Sequence, residues 1–318
     1  MIWRRVLAAL ALATLSQAPE AVEVDEAQYR ALIRDPRVGE ISGFAASHRH
    51  PGIIWTHNDS GDRAKLFALD PRGEVRATLH LRGARNLDWE DMALQRHPDG
   101  DLLLIADTGD NGGLRQELTI YAVREPATLQ DGRPQVHWKM RFRWPDGARD
   151  CEALAVDQST GELLLVSKKR VPPELFRLPA APRGDQVEVA EALGTLRGIE
   201  QPTAADLERN PVYGRYRSQI TSAAVSPDNR WLAVLNYRRV TLYPRSPGQS
   251  WTSAAAREPI VLAFPWLPQA EAVTFSADGL SLLIGSEKLP VPLIALPVPG
   301  MGVQNQTEAE STESQASH

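Results

Sequence analysis

Cysteine is nearly absent from the 318-residue chain, where Cys151 stands alone. One thiol cannot form an internal disulfide, so the fold must rest on a packed apolar core. Cys151 lies between Asp150 and Glu152, and that anionic setting should raise its thiol pKa and make it a poor nucleophile. Long apolar runs are also missing. Beyond the N-terminal segment no stretch approaches the ~18 apolar residues of a membrane helix, so no membrane span is expected in the mature chain. A basic stripe is lacking too, and the formal charge of −5 argues against a nucleic-acid partner. The signatures G-x-S-x-G, H-E-x-x-H, G-x-G-x-x-G and Walker A do not occur. The stretch DTGDNGG at 107 fails the EF-hand spacing.

What is present begins with an export signature. Arg4 and Arg5 precede an apolar run from Val6 to Leu15, too short to span a bilayer. Ser16, Gln17 and Ala18 then offer a small-x-small cleavage site. Residues 1–18 therefore read as a signal peptide, which places the mature protein in the periplasm or outside the cell. Residues 301–318 are polar and low in complexity and read as a disordered tail. Residues 19–300 between them read as one domain, expected to be monomeric.

Five segments of that domain repeat one pattern: EISGFA at 40, DWEDMA at 88, DCEALA at 150, QITSAA at 219 and QAEAVT at 269. Their first positions are acids or amides, namely Glu40, Asp88, Asp150, Gln219 and Gln269. Their third positions are Ser42, Glu90, Glu152, Thr221 and Glu271. Strand residues two apart share a face, so the first and third positions are expected to point the same way. Each segment leads through a turn into a second apolar strand that ends 16 or 17 residues after the third position. Those ends are Asp59, Asp107, Lys168, Tyr237 and Glu287. Third strands follow, such as KLFALD and LTIYAV, and outer strands are expected at EVRATLHL, QVHWKMRFRW, VEVAEALGTL and EPIVLAFP.

Strands in fours, recurring at about 50–70 residues, describe an all-β β-propeller of five four-stranded blades. Six blades is the alternative. The fifth blade lacks an outer strand, and AVEVDEAQYRALI before Glu40 would supply it and close the ring, unless DEAQYRALI forms a short helix. Residues 197–218 are too few for a sixth blade and read as a long loop.

The innermost strand of every blade borders the central channel, so acids repeated on that strand converge on one axis. Clustered like charges are unfavourable unless something neutralises them, and a divalent cation does so directly. The convergent donors are Glu40, Asp88, Glu90, Asp91, Asp150, Glu152 and Glu271, with the hydroxyls of Ser42 and Thr221. The candidate metal set is Glu40, Asp59, Asp88, Glu90, Asp107, Glu152 and Glu271. All-oxygen ligation by many ligands favours calcium. The alternative is that the acids are protonated, paired with Arg85 or Arg149, or hydrogen-bonded to backbone amides. Blades three to five carry basic residues at the ends of their second strands, and Lys168, Arg170, Arg238 and Lys288 are candidates to hold a phosphate or carboxylate. His48 and His50 fall in ASHRHPG, read as the turn between the first two strands of blade one, and His57 falls in the second strand, GIIWTHND.

The stretches EISGFAAS, WTHNDSGD, LDWEDMAL, IADTGDN, DCEALAVD and SAAVSPDNRWLAV resemble exported bacterial propellers of the SdiA-regulated-like or phytase-esterase-like type. The resemblance spans roughly 40 to 295, almost the whole expected domain. It implies calcium or another divalent ion near the channel. Two functions are thereby expected: cation binding with engagement of a small anionic ligand, or metal-dependent hydrolysis of a phosphate ester or lactone. In the second, Glu90 or Glu152 would activate water and Lys168 or Arg238 would steady negative charge. A third is a protein-interaction platform on the ring faces.

Overall fold

The computed structural model describes residues 27–211 and 214–300, so the expected signal peptide and tail lie outside the described residues. Its five antiparallel sheets are the five blades. Blade one runs outward through Ile41–Ala46, Ile54–Asn58, Lys65–Leu69 and Val75–His80. Blade two comprises Trp89–Gln95, Leu102–Asp107, Leu118–Arg124 and Trp138–Arg143. Blade three is Cys151–Val156, Leu163–Ser167, Glu174–Leu178 and Glu191–Thr195. Blade four is Ile220–Val225, Trp231–Asn236, Arg239–Pro244 and Ile260–Ala263. Blade five is Ala270–Phe275, Ser281–Ser286 and Val291–Pro297, completed by Gln28–Ile33 from the start of the domain. That last pairing is antiparallel, with Ile33 opposite Val291. Gln28–Ile33 is thus a strand rather than part of a helix, and it closes the ring.

Strand periodicity explains how the sequence packs the ring. In Leu102–Asp107 successive side chains point to opposite faces. Leu102 and Leu104 enter the core shared with blade three, while Leu103 and Ile105 enter the core shared with blade one. Both faces are buried, so this strand is apolar up to its last residue, Asp107, rather than alternating. The same rule produces five wedge-shaped cores, one at each blade boundary, including the boundary between blades five and one. Each fully buried leucine in them contributes about 1.5–3 kcal/mol. The outer strand Trp138–Arg143 reaches solvent on one face and alternates buried Met140 and Phe142 with exposed Lys139, Arg141 and Arg143.

Two expectations are corrected in detail. Residues 187–196 form two strands: Glu188–Val189 lies parallel to the outer strand of blade two, and only Glu191–Thr195 belongs to blade three. The stretch 197–218 contains a helix, Ala204–Arg209, whose start is a capping box between Thr203 and Asp206. A 3-10 turn, Gly214–Ser218, follows it. Neither adds a blade. No helix among the described residues is long and apolar enough to cross a membrane.

Candidate functional site

One defect recurs in all five blades. The pairing of the innermost strand with the second slips by a residue at Ser42, Glu90, Glu152, Thr221 and Glu271. These are the third positions of the sequence repeat. A bulge leaves its extra residue outside the ladder and re-aims the side chain. The simple two-residue alternation expected between first and third positions is therefore interrupted at every blade.

The bulged side chains divide into two chemical classes. Ser42 Oγ donates to the backbone carbonyl of Glu90 at 2.7 Å, and Thr221 Oγ1 donates to that of Ala270 at 2.7 Å. These hydroxyls tie one blade to the next, so they are corrected from candidate ligands to fasteners. Glu90, Glu152 and Glu271 instead place buried carboxyls at the channel mouth.

Asp91 is a second correction. Its carboxylate accepts from the amides of Met92 at 2.8 Å, Leu154 at 2.9 Å and Ala223 at 3.1 Å, and from the Ser222 hydroxyl at 3.1 Å. Ser222 Oγ in turn accepts from the amide of Val273 at 3.1 Å. A Cβ on Gly43 would lie 2.9 Å from Asp91 Cα. All five blades thus meet at Asp91, a buried fastener on the axis. This is the amide-bonded alternative, realised most fully at Asp91 and in part at Asp150, which accepts from the amide of Asp110 at 2.8 Å.

The remaining acids form two sets that share Glu90. Carboxylate oxygens of Asp59, Asp88 and Glu90 lie within 4.8 Å of one another, and so do those of Glu90, Asp150 and Glu152. Asp88 is pushed up to about 6 by burial and by the charges of Asp59 and Asp150. Glu90 lies well above the ordinary carboxylate range because it is buried and faces Asp59. Asp59 is raised by burial as well. Glu271 is pushed up to about 7, chiefly by burial, and bonds the Tyr237 hydroxyl.

Cations meet only part of this charge. Lys168 Nζ pairs with Glu152, and Lys169 Nζ lies 2.8 Å from Asp150. Glu152 Oε2 is nevertheless buried with no hydrogen-bond partner. Arg149, one of the expected partners, is engaged elsewhere: it pairs with Glu174 at 2.5 Å and with Asp146, against the rings of Trp144 and Phe176.

The loop after Leu102–Asp107 leaves room for the acids. A Cβ on Gly109 would overlap the carboxyls of Glu90 and Asp88. Arg115 pins this loop, donating to the Gly109 carbonyl and to Asp107, each at 2.8 Å. Asp110 accepts from the amides of Leu114 at 2.8 Å and Arg115 at 2.9 Å. Asp107, a candidate ligand by sequence, is thus committed to Arg115 and joins neither carboxylate set. Glu40 is exposed, its backbone bridged to Lys288, and it too lies outside both sets, as does Glu271.

Beside the acids opens a cleft of about 1360 Å³, lined by Lys168, Arg238 and Lys288 among others. Arg170 is not in its lining and stands 3.8 Å from Glu174. Sequence reasoning overlooked Lys169, Arg217 and Trp266, which also line the cleft, and Gly109. Lys169 and Gly109 had a signal, their places beside Lys168 and Asp107 at second-strand ends; Arg217 and Trp266 sit in connections outside the repeat.

Two residues singled out by sequence are inert here. Cys151 is buried, and burial first, then the neighbouring acids, pushes its thiol up to about 12. His57 lies, as expected, in the second strand of blade one, edge-on to Trp89, and burial lowers it to about 4.

Comparison with protein-family models and with curated proteins finds no match. Among solved structures, the chain is similar to a PQQ-bound aldose sugar dehydrogenase from Streptomyces coelicolor. The identity is 12% and the TM-score 0.46, over 86% of this chain and 98% of that one.

Proposed function

We propose that this protein is an exported, monomeric propeller whose channel mouth binds a divalent cation, calcium being favoured, and engages a small anionic ligand beside it. The observation that carries the reading is the pair of carboxylate sets joined at Glu90. The donor set fits a hard cation, since calcium takes about 6–8 oxygen ligands in flexible geometry. Asp59, Asp88, Glu90, Asp150 and Glu152 are the residues that would hold it, and the unpartnered Glu152 Oε2 is an oxygen left for such a use. A bound cation would neutralise the clustered charge and polarise an oxygen of the ligand. The basic wall of the adjoining cleft supports the anion, and the N-terminal signature supports export to the periplasm or beyond.

Thermal unfolding tests the cation. A ligand that binds only the folded state raises its apparent stability. Calcium should raise Tm and a chelator should lower it, with elemental analysis identifying the metal in the purified protein. An unchanged Tm in both arms sinks the proposal.

A second reading, metal-dependent hydrolysis of a phosphate ester or lactone, is favoured by one observation. Lys168 both pairs with Glu152 and lines the cleft, so an anion there would reach the carboxylates. Glu90 or Glu152 would take the proton from water, and Lys168 or Arg238 would steady the developing charge. Turnover of aryl phosphates, aryl esters or lactones with calcium, manganese or magnesium would reveal it. Activity that persists in Glu90→Gln and Glu152→Gln would refute the residue roles.

A further inference from the structure

The cleft wall presents a large aromatic face that the fold itself does not use. Trp266 is 81% exposed, the most exposed large apolar side chain among the described residues. It does not hang on a loose tether. Phe264 and Leu267 on either side pack into the core between blades four and five. Pro265 and Pro268 fix their own φ angles and restrict the residue before each. The backbone on either side of Trp266 is therefore anchored, and the ring stands out from it into the cleft.

Uncommitted positive charge shares that cleft. Arg238 stands on a turn held by Asn236 Oδ1, which accepts from the amides of Arg238 at 2.9 Å and Arg239 at 2.8 Å. Neither Arg238 nor Lys288 has an ion-pair partner within 4.0 Å among the described residues. Arg217, already paired with Asp206, is held below its ordinary range by burial and then by the charges of Arg238 and Arg239. An exposed indole and crowded cations are each unfavourable in water, and one ligand relieves both.

We propose that the cleft takes a planar aromatic anion, an aryl or heteroaryl phosphate or carboxylate, with its ring on Trp266 and its anionic group held by Arg238 and Lys288. This rests on the anionic-ligand reading above and names its chemical class. A simple phosphate would use the cations and leave the indole wet. A sugar phosphate would cover the indole with hydroxylated carbons, whereas an aromatic ring stacks on it in the offset or edge-on geometry that such pairs favour.

Titration calorimetry of the full mature chain in calcium, with 1-naphthyl phosphate, glucose 6-phosphate and inorganic phosphate as probes, tests the assignment. The naphthyl ester should bind about tenfold more tightly than the other two, the contribution of one good ring contact. Trp266→Ala should abolish that preference and leave inorganic phosphate affinity unchanged, while Trp266→Phe retains part of it. Combined Arg238→Ala and Lys288→Ala should weaken all three probes. Equal affinities, a preference that survives Trp266→Ala, or no binding of any probe would overturn the proposal. The cation reading is scored separately by the calcium shift in Tm. That shift with equal probe affinities overturns the aromatic assignment alone, and a naphthyl preference without the shift overturns the cation alone.

Discussion

Glu90 sits where the two carboxylate sets meet, so without an ion it is the charge the mouth tolerates least. Glu271, titrating near 7, and Asp88, near 6, share the problem with it. A carboxyl whose folded pKa is raised binds more protons folded than unfolded, so stability falls as pH rises between the two values. In chelator, denaturant midpoints should therefore decline as pH rises from about 4.5 through 7. His57, lowered to about 4, acts in the opposite sense below 6.5, as do His48 and His137, but the raised carboxyls, which include Asp59 and Asp91, outnumber these histidines. Glu90→Gln should shrink the decline and leave the metal-free protein at least as stable as wild type, while weakening calcium binding. Lys168→Met should do the reverse, because removing one partner of a buried pair costs about 3–5 kcal/mol. A midpoint in chelator that climbs between pH 5 and 8, or a large loss in Glu90→Gln, would contradict this account.

The structural element that makes the mouth is the bulge together with the loop opposite it. The amide of Gly109 donates to the carbonyl of Asp88 at 3.1 Å, so the loop and the carboxylates are held in register. Gly109→Ala should push the Glu90 and Asp88 carboxyls apart. Their ends can rotate, so the stability cost in chelator should stay near the low end of the roughly 1–3 kcal/mol typical of overpacking. The stabilisation by calcium should disappear, which paired melting curves with calcium and with chelator would show. A full calcium shift in Gly109→Ala would remove this loop from the site. The bulges themselves were hidden in the sequence. A repeated acid at Glu90, Glu152 and Glu271 marks where they fall, but a slipped register depends on the partner strand.

At the scale of the molecule, the ring is closed by Gln28–Ile33 lying on Val291–Pro297. Blade five therefore holds both ends of the described domain. A chain beginning at residue 36 would lose Ile33 from the core between blades five and one and leave Val291–Pro297 as an open edge. It should unfold at lower denaturant than the full domain, over a broader transition, and associate at raised concentration. Light scattering and denaturant curves together check this, and identical behaviour of the two chains would mean the closure contributes nothing.

The sequence by itself favoured five blades over six and set out the strands repeated within them. Two-residue periodicity and a repeat of about 50–70 residues are local properties that survive without knowledge of partners. The fifth blade's missing strand was legible as a vacancy, but the sequence left Gln28–Ile33 open between strand and helix, and only pairing with Val291–Pro297 decided it. What each polar side chain does was decided only by the tertiary structure. Ser42 and Thr221 match the acids in position and Asp91 matches them in chemistry, yet all three fasten neighbouring blades. Asp107 is taken by Arg115, and Glu152 shares Lys168 with the cleft. A carboxylate becomes a ligand or a fastener according to whether donors reach it first, and those donors come from other blades, far away in sequence.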